Sequence, residues 1–500
     1  MMDLADGHGR GGGNLFEPGR NCWRIERAER FALIVDAAAY FQAARAAMIR
    51  ARKSILLVGW DFNPEITLPR GEDGDDGPEK LSEFMIWLAD RTPGLEIRLL
   101  RWDTGALKSF LKPTFLRTVI RWKAHERIAL RLDGTHPLGS SHHQKMIAID
   151  DRLAFCGGID MTDGRYDDRD HADDAELRIG TDGKPYGPWH DAASVFDGDA
   201  AVAIGDLARQ RWLAAQDEEL PRVTGGADCW PDGLAPLLTD IDLSIARTFP
   251  QMDEHDEIHE IEALYLDLIA NARDFIYAES QYFASRRVAH ALAQRLAEDN
   301  PPEIVIINPK AAEGWLEPVA MDTARARLVE ALRRIDRKGR FRLYHPVTER
   351  GEDIYVHAKL SVIDDRYLRV GSSNFNNRSL RFDTECDVAL DGTDVAGQSG
   401  GTVLTDIRHD LLAEHLGVTP EKIAAHEKAL GSMIAAIEEL RGQGRTLIPY
   451  ELPELSETEK WLADNEILDP EGPDAIFEPL SQRGLFRHWH FPHFRRRNMG

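Results

Sequence analysis

Apolar residues recur at helical spacing from about Phe31 to Ala51, and the pattern ends in Arg52-Lys53. The run Ile55-Leu56-Leu57-Val58 that follows is short and continuous, as in a strand buried on both faces. Gly71 to Glu79 is acidic and glycine-rich, hence a loop. Leu81, Phe84, Met85 and Leu88 then return to the helical period, and Glu96 to Leu100 reads as a strand. Helix and strand alternate, so the pattern predicts an α/β sandwich rather than an all-helical or all-β fold.

The same programme starts again in the second half of the chain. Ala51-Arg52 before the first strand matches Ala272-Arg273 before Phe275-Ile276-Tyr277-Ala278. Glu96 to Leu100 matches Glu303-Ile304-Val305-Ile306-Ile307, and His136-Pro137 matches His345-Pro346. Internal repetition of this kind points to a duplicated α/β unit. The organisation expected is a flexible, glycine-rich tail over 1–22, a first half over 23–217, a linker over 218–250, a second half over 251–420 and an extension over 421–500. The linker holds Gly225-Gly226 and several prolines. In the extension, Ile423, Leu430, Met433, Ile434 and Ile437 suit a helix, followed by a Pro- and Glu-rich stretch. A basic, aromatic tail closes the chain from Arg483 to Arg497, with Phe486, Trp489, Phe491 and Phe494. Such a tail fits docking on the protein's own surface, a disordered segment, or docking on a membrane interface.

Composition narrows the function. A chain of 500 residues exceeds one ordinary core, and 29% charged residues fit a globular protein. The formal net charge of −24 disfavours non-specific nucleic-acid binding, which needs a basic surface. Cys22, Cys156, Cys229 and Cys386 are far apart and without a C-x-x-C pair, so they read as buried thiols and not as a zinc cluster or disulfide framework. No secretory signal and no apolar run of membrane-spanning length is visible. A cytoplasmic or peripheral membrane protein is expected, with export by a non-Sec route left open. The acidic loop at Glu72 to Asp76 lacks the ligand spacing of an EF-hand.

The chemistry is carried by two segments, Ser141-His142-His143-Gln144-Lys145-Met146-Ile147-Ala148-Ile149-Asp150 and Val356-His357-Ala358-Lys359-Leu360-Ser361-Val362-Ile363-Asp364. On a strand, alternation puts His143 with Lys145 and His357 with Lys359, while Asp150 and Asp364 fall on the opposite face as structural carboxylates. The register continues beyond the motifs. Gly157-Gly158 and Gly371-Ser372 begin seven residues after the two aspartates, and Asp160 and Asn374 follow at matching positions. Asp191 and Glu385 each stand seven residues before a glycine, Gly198 and Gly392. One H-x-K-x4-D match is weak evidence; two in register are strong.

These residue types suit a phosphodiester. Two lysines neutralise charge on the phosphoryl oxygens. A neutral imidazole attacks phosphorus to give a phosphohistidine, and a second, protonated one supplies the leaving group's proton. A carboxylate on the far nitrogen of each ring fixes its tautomer, and Asp191 and Glu385 are the candidates. No metal or other cofactor is required, because Lys145 and Lys359 are the cations. His142 and His190 read as supporting or surface histidines.

At these residues the chain resembles the phospholipase D superfamily, over about residues 25 to 420. His142-His143-Gln144-Lys145, Gly157 to Asp167, Trp189-His190-Asp191, Glu279-Ser280-Gln281-Tyr282-Phe283, Ile354 to Lys359, Asn374 to Ser379 and Glu385 are similar to the branch that hydrolyses phosphatidylcholine. The resemblance implies two α/β/α halves related by a pseudo-twofold, with the active site at their interface. It implies a phosphohistidine intermediate and transphosphatidylation when alcohols compete with water. His143 is then the nucleophile and His357 the general acid, with the exchanged assignment open, and Asn374, Gln281 and Ser372 contact phosphate or headgroup. Asp160 departs from the pattern, since some members carry Asn there. The expected partner is a phospholipid at a membrane surface, and both motifs in one chain suit a monomer. The alternatives are a nuclease-type phosphodiesterase, a cardiolipin synthase-like phosphatidyltransferase, and a non-catalytic scaffold of the same fold.

Overall fold

The helical pattern over residues 31–51 begins later than its apolar residues do. In the computed structural model Arg24–Val35 is a 12-residue strand, β1, and only Ala37–Arg50 is helical, as α1. Asp36 makes the break, with φ of 65°. Phe31 to Val35 lies in the middle of a sheet, buried on both faces, and a continuous apolar run there cannot be told from a helix by periodicity.

The structure describes residues 15–453, apart from 71–73, 104–112, 253–255, 313–320 and 395–399. The expected N-terminal tail up to residue 14, the start of the acidic loop and the basic aromatic tail lie outside the described residues.

The first half continues with β2 (Ser54–Gly59), β3 (Glu96–Trp102), β4 (Ile128–Asp133), β5 (Met146–Ile149), β6 (Leu153–Gly157), β7 (Trp189–His190) and β8 (Ala192–Asp197). Its further helices are α2 (Leu81–Arg91), α3 (Pro113–Lys123) and α4 (Asp199–Gln216). The second half repeats them as β9 (Leu238–Phe249), β10 (Ile258–His259), β11 (Phe275–Glu279), β12 (Glu303–Ile307), β13 (Phe341–Val347), β14 (Tyr355–Val356), β15 (Leu360–Ile363), β16 (Tyr367–Gly371) and β17 (Glu385–Asp391). Its helices are α5 (Glu260–Asn271), α6 (Arg286–Leu296), α7 (Thr323–Ile335) and α8 (Gly400–Leu416).

All these strands but β7 and β14, which pair with each other, join one sheet whose order reads the same from both ends. From β4 it runs β3, β2, β5, β6, β8, β1, and then β9, β17, β16, β15, β11, β12, β13. β1 and β9 pair antiparallel at the centre, with Arg24 opposite Ile245 and Phe31 opposite Leu238, so the halves meet about a local twofold. Leu238–Phe249, within the linker expected over 218–250, is the strand by which the second half meets β1 at the centre of the sheet. Its alternation of Ile241, Leu243 and Ile245 with polar residues was masked by the preceding glycines, prolines and aspartates.

Alternation along the strands sorts the core into layers. Ile55 and Leu57 face α1 and α2 in a cluster of the first half, and Ile276 and Ala278 face a matching cluster in the second half, where Leu15, Phe16 and Cys22 of the expected tail are also buried. Leu56 and Val58 face the other way, into one cluster shared by α4, α8 and strands of both halves. The shared core welds the halves together. The extension joins it through α9 (Pro420–Leu430) and α10 (Met433–Leu440), whose Ile423, Met433, Ile434 and Ile437 are buried. It also adds an unexpected edge strand, β18 (Thr446–Pro449), antiparallel to β13. Among the described residues no helix is long and apolar enough to cross a membrane.

Candidate active site

Each motif strand reaches across to the other half before it enters its own. Tyr355 and Val356 of β14 pair in parallel with Trp189 and His190 of β7, and the His357 amide donates to the His190 carbonyl at 2.7 Å. In the mirrored place, the His143 amide donates to the Thr384 carbonyl at 2.9 Å and the Thr384 amide donates to the Ser141 carbonyl at 3.0 Å. These short ladders set His357 beside Asp191 and His143 beside Glu385.

The side chains follow. Nδ1 of His143 lies 3.0 Å from both carboxylate oxygens of Glu385, and Nδ1 of His357 lies 2.7 Å from Oδ2 of Asp191. In each ring Nε2 is left as the nitrogen available to a substrate. The two supports are built differently. A Cβ on Gly158 would come within 2.1 Å of Oδ1 of Asp191, so the first half needs glycine there to admit the short carboxylate. The matching residue of the second half is Ser372, and its hydroxyl donates to Oε2 of Glu385 and accepts the Cys386 amide. Ser372, expected among the substrate contacts, is fully buried, and its hydroxyl is committed to Glu385.

Both lysines are buried in this space. Nζ of Lys145 donates to the His143 carbonyl at 2.9 Å and lies 3.2 Å from Oδ2 of Asp160. The extra acid at Asp160 is thus occupied by a lysine, and its Oδ1 accepts the Trp60 amide at 3.1 Å. Nζ of Lys359 donates to the His357 carbonyl and, at 3.2 Å, to Oε1 of Gln281. Asn374 takes the place of Asp160 in the second half, accepting the Gln281 amide at 3.2 Å and donating to Oε1 of Gln281 at 3.4 Å. Gln281 and Asn374 therefore do sit with the His–Lys pairs.

Asp150 and Asp364 stand away from this centre, at the hairpin turns after β5 and β15. Each occupies the left-handed region, with φ of 53° and 54°, as does the aspartate after it. The Asp150 carboxylate accepts the amides of Arg52, Lys53 and Ser54, all at 2.7 Å. Asp364 accepts those of Arg273, Asp274 and Phe275 at 2.7–2.9 Å. Each carboxylate closes the backbone at the start of the strand beside its own motif.

Electrostatics favour an anionic guest. Burial, then Lys145 and Lys359, hold His143 well below its ordinary value. Burial, Lys359, Arg165 and Lys145 do the same to His357. Lys359 is itself held well below the usual lysine range, first by burial, with Lys145 among the groups that oppose its charge. Burial pushes Asp191 up and Glu385 well up. The charges of Lys145 and Lys359 thus weigh on both imidazoles in a dry space, and a bound anion would relieve that cost.

Several lining residues escaped the sequence reading. The ring of Trp60 meets His143 edge-on at 6.5 Å, and Trp189 packs on His357 at 5.2 Å and stacks on Tyr355 at 4.6 Å. The guanidinium of Arg165 lies 4.0 Å over Trp189. Tyr355 also accepts from Nε2 of Gln281 at 3.0 Å. Trp189 and Tyr355 adjoin predicted site residues, which was the available signal, whereas nothing in the spacing marked Arg165. His142 is buried, between Thr384 at 3.0 Å and Asp133 at 3.1 Å. His190 is also buried, so neither is a surface histidine.

Residues 47–225 match the family model described as "Phospholipase D", and residues 265–400 match the one described as "Cardiolipin synthase, PLD-like domain". The chain is 25% identical to phospholipase D A of Dictyostelium discoideum over 78% of its own length and 36% of that protein. It is 24% identical to phospholipase D alpha 1 of Carica papaya, covering 83% of this chain and 67% of the relative. It thus spans between about a third and two thirds of these relatives. Among solved structures, a phosphatidylserine synthase of Haemophilus influenzae Rd KW20 superimposes with a TM-score of 0.54 at 14% identity, covering 88% of this chain and 94% of that one. At that identity the likeness is one of fold.

Proposed function

Because this chain belongs to the phospholipase D superfamily, we propose that it is a phosphodiesterase acting on phosphatidylcholine-like phospholipids, releasing phosphatidic acid and the free headgroup. The observation that carries this reading is the crossed pairing of His143 with Glu385 and His357 with Asp191 around two buried lysines. In the first step Nε2 of His143 attacks phosphorus while the bond to the headgroup oxygen breaks. His357 gives its Nε2 proton to that oxygen. The shorter hydrogen bond from His357 to Asp191 supports giving it the proton-carrying role, because a close carboxylate favours the imidazolium. Lys145 and Lys359 face the non-bridging oxygens, where charge rests in the transition state. In the second step His357 takes a proton from water, whose oxygen displaces Nε2 of His143 from phosphorus.

An alcohol can replace water in the second step, which gives transphosphatidylation. A phosphatidyltransferase differs from a hydrolase only in that acceptor. The test is purified protein on phosphatidylcholine vesicles with ethanol present, following choline, phosphatidic acid and phosphatidylethanol. Choline together with phosphatidylethanol is expected. Cleavage of DNA under the same conditions, with no lipid product, would replace this reading by a nuclease, which the net charge of −24 disfavours.

A further inference from the structure

His190 lies between two residues of the pocket, Trp189 and Asp191, but strand alternation turns its side chain the other way, into a sealed cluster that the phosphodiester chemistry does not use. Its Nδ1 is 2.7 Å from Oε1 of Glu414 and 3.2 Å from Oδ1 of Asp36. Nε2 of His171 is 3.1 Å from the same Glu414 oxygen and 3.6 Å from Oδ2 of Asp36. The four side chains are at most 1% exposed, and the four facing atoms all lie within 4.8 Å of one another. Crowded as they are, Nδ1 of His190 and Oδ2 of Asp36 make no hydrogen bond. Leaving such atoms dry and unsatisfied is costly unless something else occupies their lone pairs.

The outer nitrogens of both rings are held. Nδ1 of His171 pairs with Oδ2 of Asp167 at 2.8 Å, and Nε2 of His190 with Oε2 of Glu279 at 2.7 Å. These carboxylates are fixed in turn, Asp167 by Arg178 at 3.1 Å and Glu279 by Nε2 of His415 at 3.0 Å. A carboxylate behind each imidazole is the arrangement that orients histidine as a metal ligand. We propose that Asp36, His171, His190 and Glu414 bind one divalent transition-metal ion, zinc foremost. Two imidazoles and two carboxylates suit four-coordinate zinc, whereas calcium and magnesium prefer sets of oxygen alone.

The site is a fastening and not a reaction centre. It joins Asp36 after β1, a loop of the first half, β7, and α8 of the second half, and it lies behind the segment carrying Asp191. The Asp191 amide donates to Oδ1 of Asp36 at 3.1 Å, so the ligands border the group that holds His357. The inference does not depend on the substrate proposed above, and metal content tests it without any activity assay.

The experiment is elemental analysis of the full chain, expressed with added zinc and also refolded from denaturant with either chelator or zinc chloride. About one zinc per chain is expected, and chelator-refolded protein should melt lower by roughly 5 °C or more until zinc is supplied during refolding. The double variant His171→Gln, Glu414→Gln should hold less than about a tenth of an equivalent and show no zinc-dependent rise in melting temperature. Folded wild-type protein that holds no first-row metal and gains neither metal nor melting temperature on refolding with zinc would overturn the proposal. Zinc retained in full by the double variant would overturn it too, by assigning the metal to other carboxylates. If the double variant does not fold, the two wild-type refolding arms still decide.

Discussion

His143 stands on the first half of the chain and Glu385 on the second, 242 residues apart in sequence, yet the imidazole Nδ1 and the carboxylate are 3.0 Å apart. His357 and Asp191 repeat the relation in the opposite direction at 2.7 Å. Neither half contains an oriented histidine of its own. The backbone bridges at Thr384 and His190 that impose the exchange set both histidine–carboxylate pairs at the interface of the halves.

Replacing either carboxylate by its amide should therefore damage the histidine of the other half. Glu385→Gln and Asp191→Asn are each expected to lower kcat roughly 10- to 1000-fold, with KM little changed, because the tautomer and not the binding surface is disturbed. Steady-state kinetics on a soluble phosphodiester check this. A change confined to KM would contradict it.

Gly158 and Ser372 occupy matching positions with opposite needs. Gly158→Ala should displace Asp191, whose Oδ1 would lie 2.1 Å from the new Cβ, and reduce kcat by about 100-fold or more. Ser372→Ala removes one hydrogen bond to Glu385 and the acceptor of the Cys386 amide but adds no clash, and should cost roughly tenfold. Equal losses would show that the two carboxylates are not supported as the structure has them.

Asp150 and Asp364 predict a different phenotype. Each carboxylate accepts three backbone amides, so Asp150→Ala or Asp364→Ala should destabilise the fold by about 2–4 kcal/mol. The folded fraction should retain measurable turnover. Denaturant unfolding read alongside specific activity separates this from a role in the chemistry.

The repeat made much of this architecture readable in advance. Both His–Lys pairs, the glycines after them and the later carboxylates could be aligned by counting, because a duplicated fold must reuse its spacings. What the count could not supply was which carboxylate serves which histidine, since that depends on strands exchanged between halves. Leu238–Phe249 is obscure in the sequence for a related reason: its apolar residues gain meaning only when β1 lies beside them. That the Ser372 hydroxyl turns to Glu385 likewise depends on how β16 and β17 lie together, which spacing does not show. The place of Arg165 over Trp189 rests on where a long loop returns, which local pattern does not encode.

Acid should weaken the fold in part through His345. Burial is the main cause that lowers it to about 4, with Lys310 and Arg325 acting the same way and Asp353 opposing them. In the unfolded chain a histidine titrates near ~6.5. Between these values the unfolded state holds more protons, so this contribution to stability is present above pH ~6.5 and is lost as pH falls toward about 4. His345→Gln should remove roughly 2–3 kcal/mol of the stability difference between neutral and acid pH. Urea unfolding of both proteins across that range reads it, and parallel curves would contradict the assignment.

The central claim, a covalent intermediate on His143 served by a proton carrier on His357, is tested most directly by trapping. A p-nitrophenyl phosphodiester has a leaving group that needs no proton, so His357→Asn should pass the first step and stall before hydrolysis. A rapid burst of about one nitrophenolate per chain is expected, with the phosphoryl adduct found by mass spectrometry on the peptide holding His143. A burst with the adduct on another residue, or steady turnover with no adduct at all, would contradict the account.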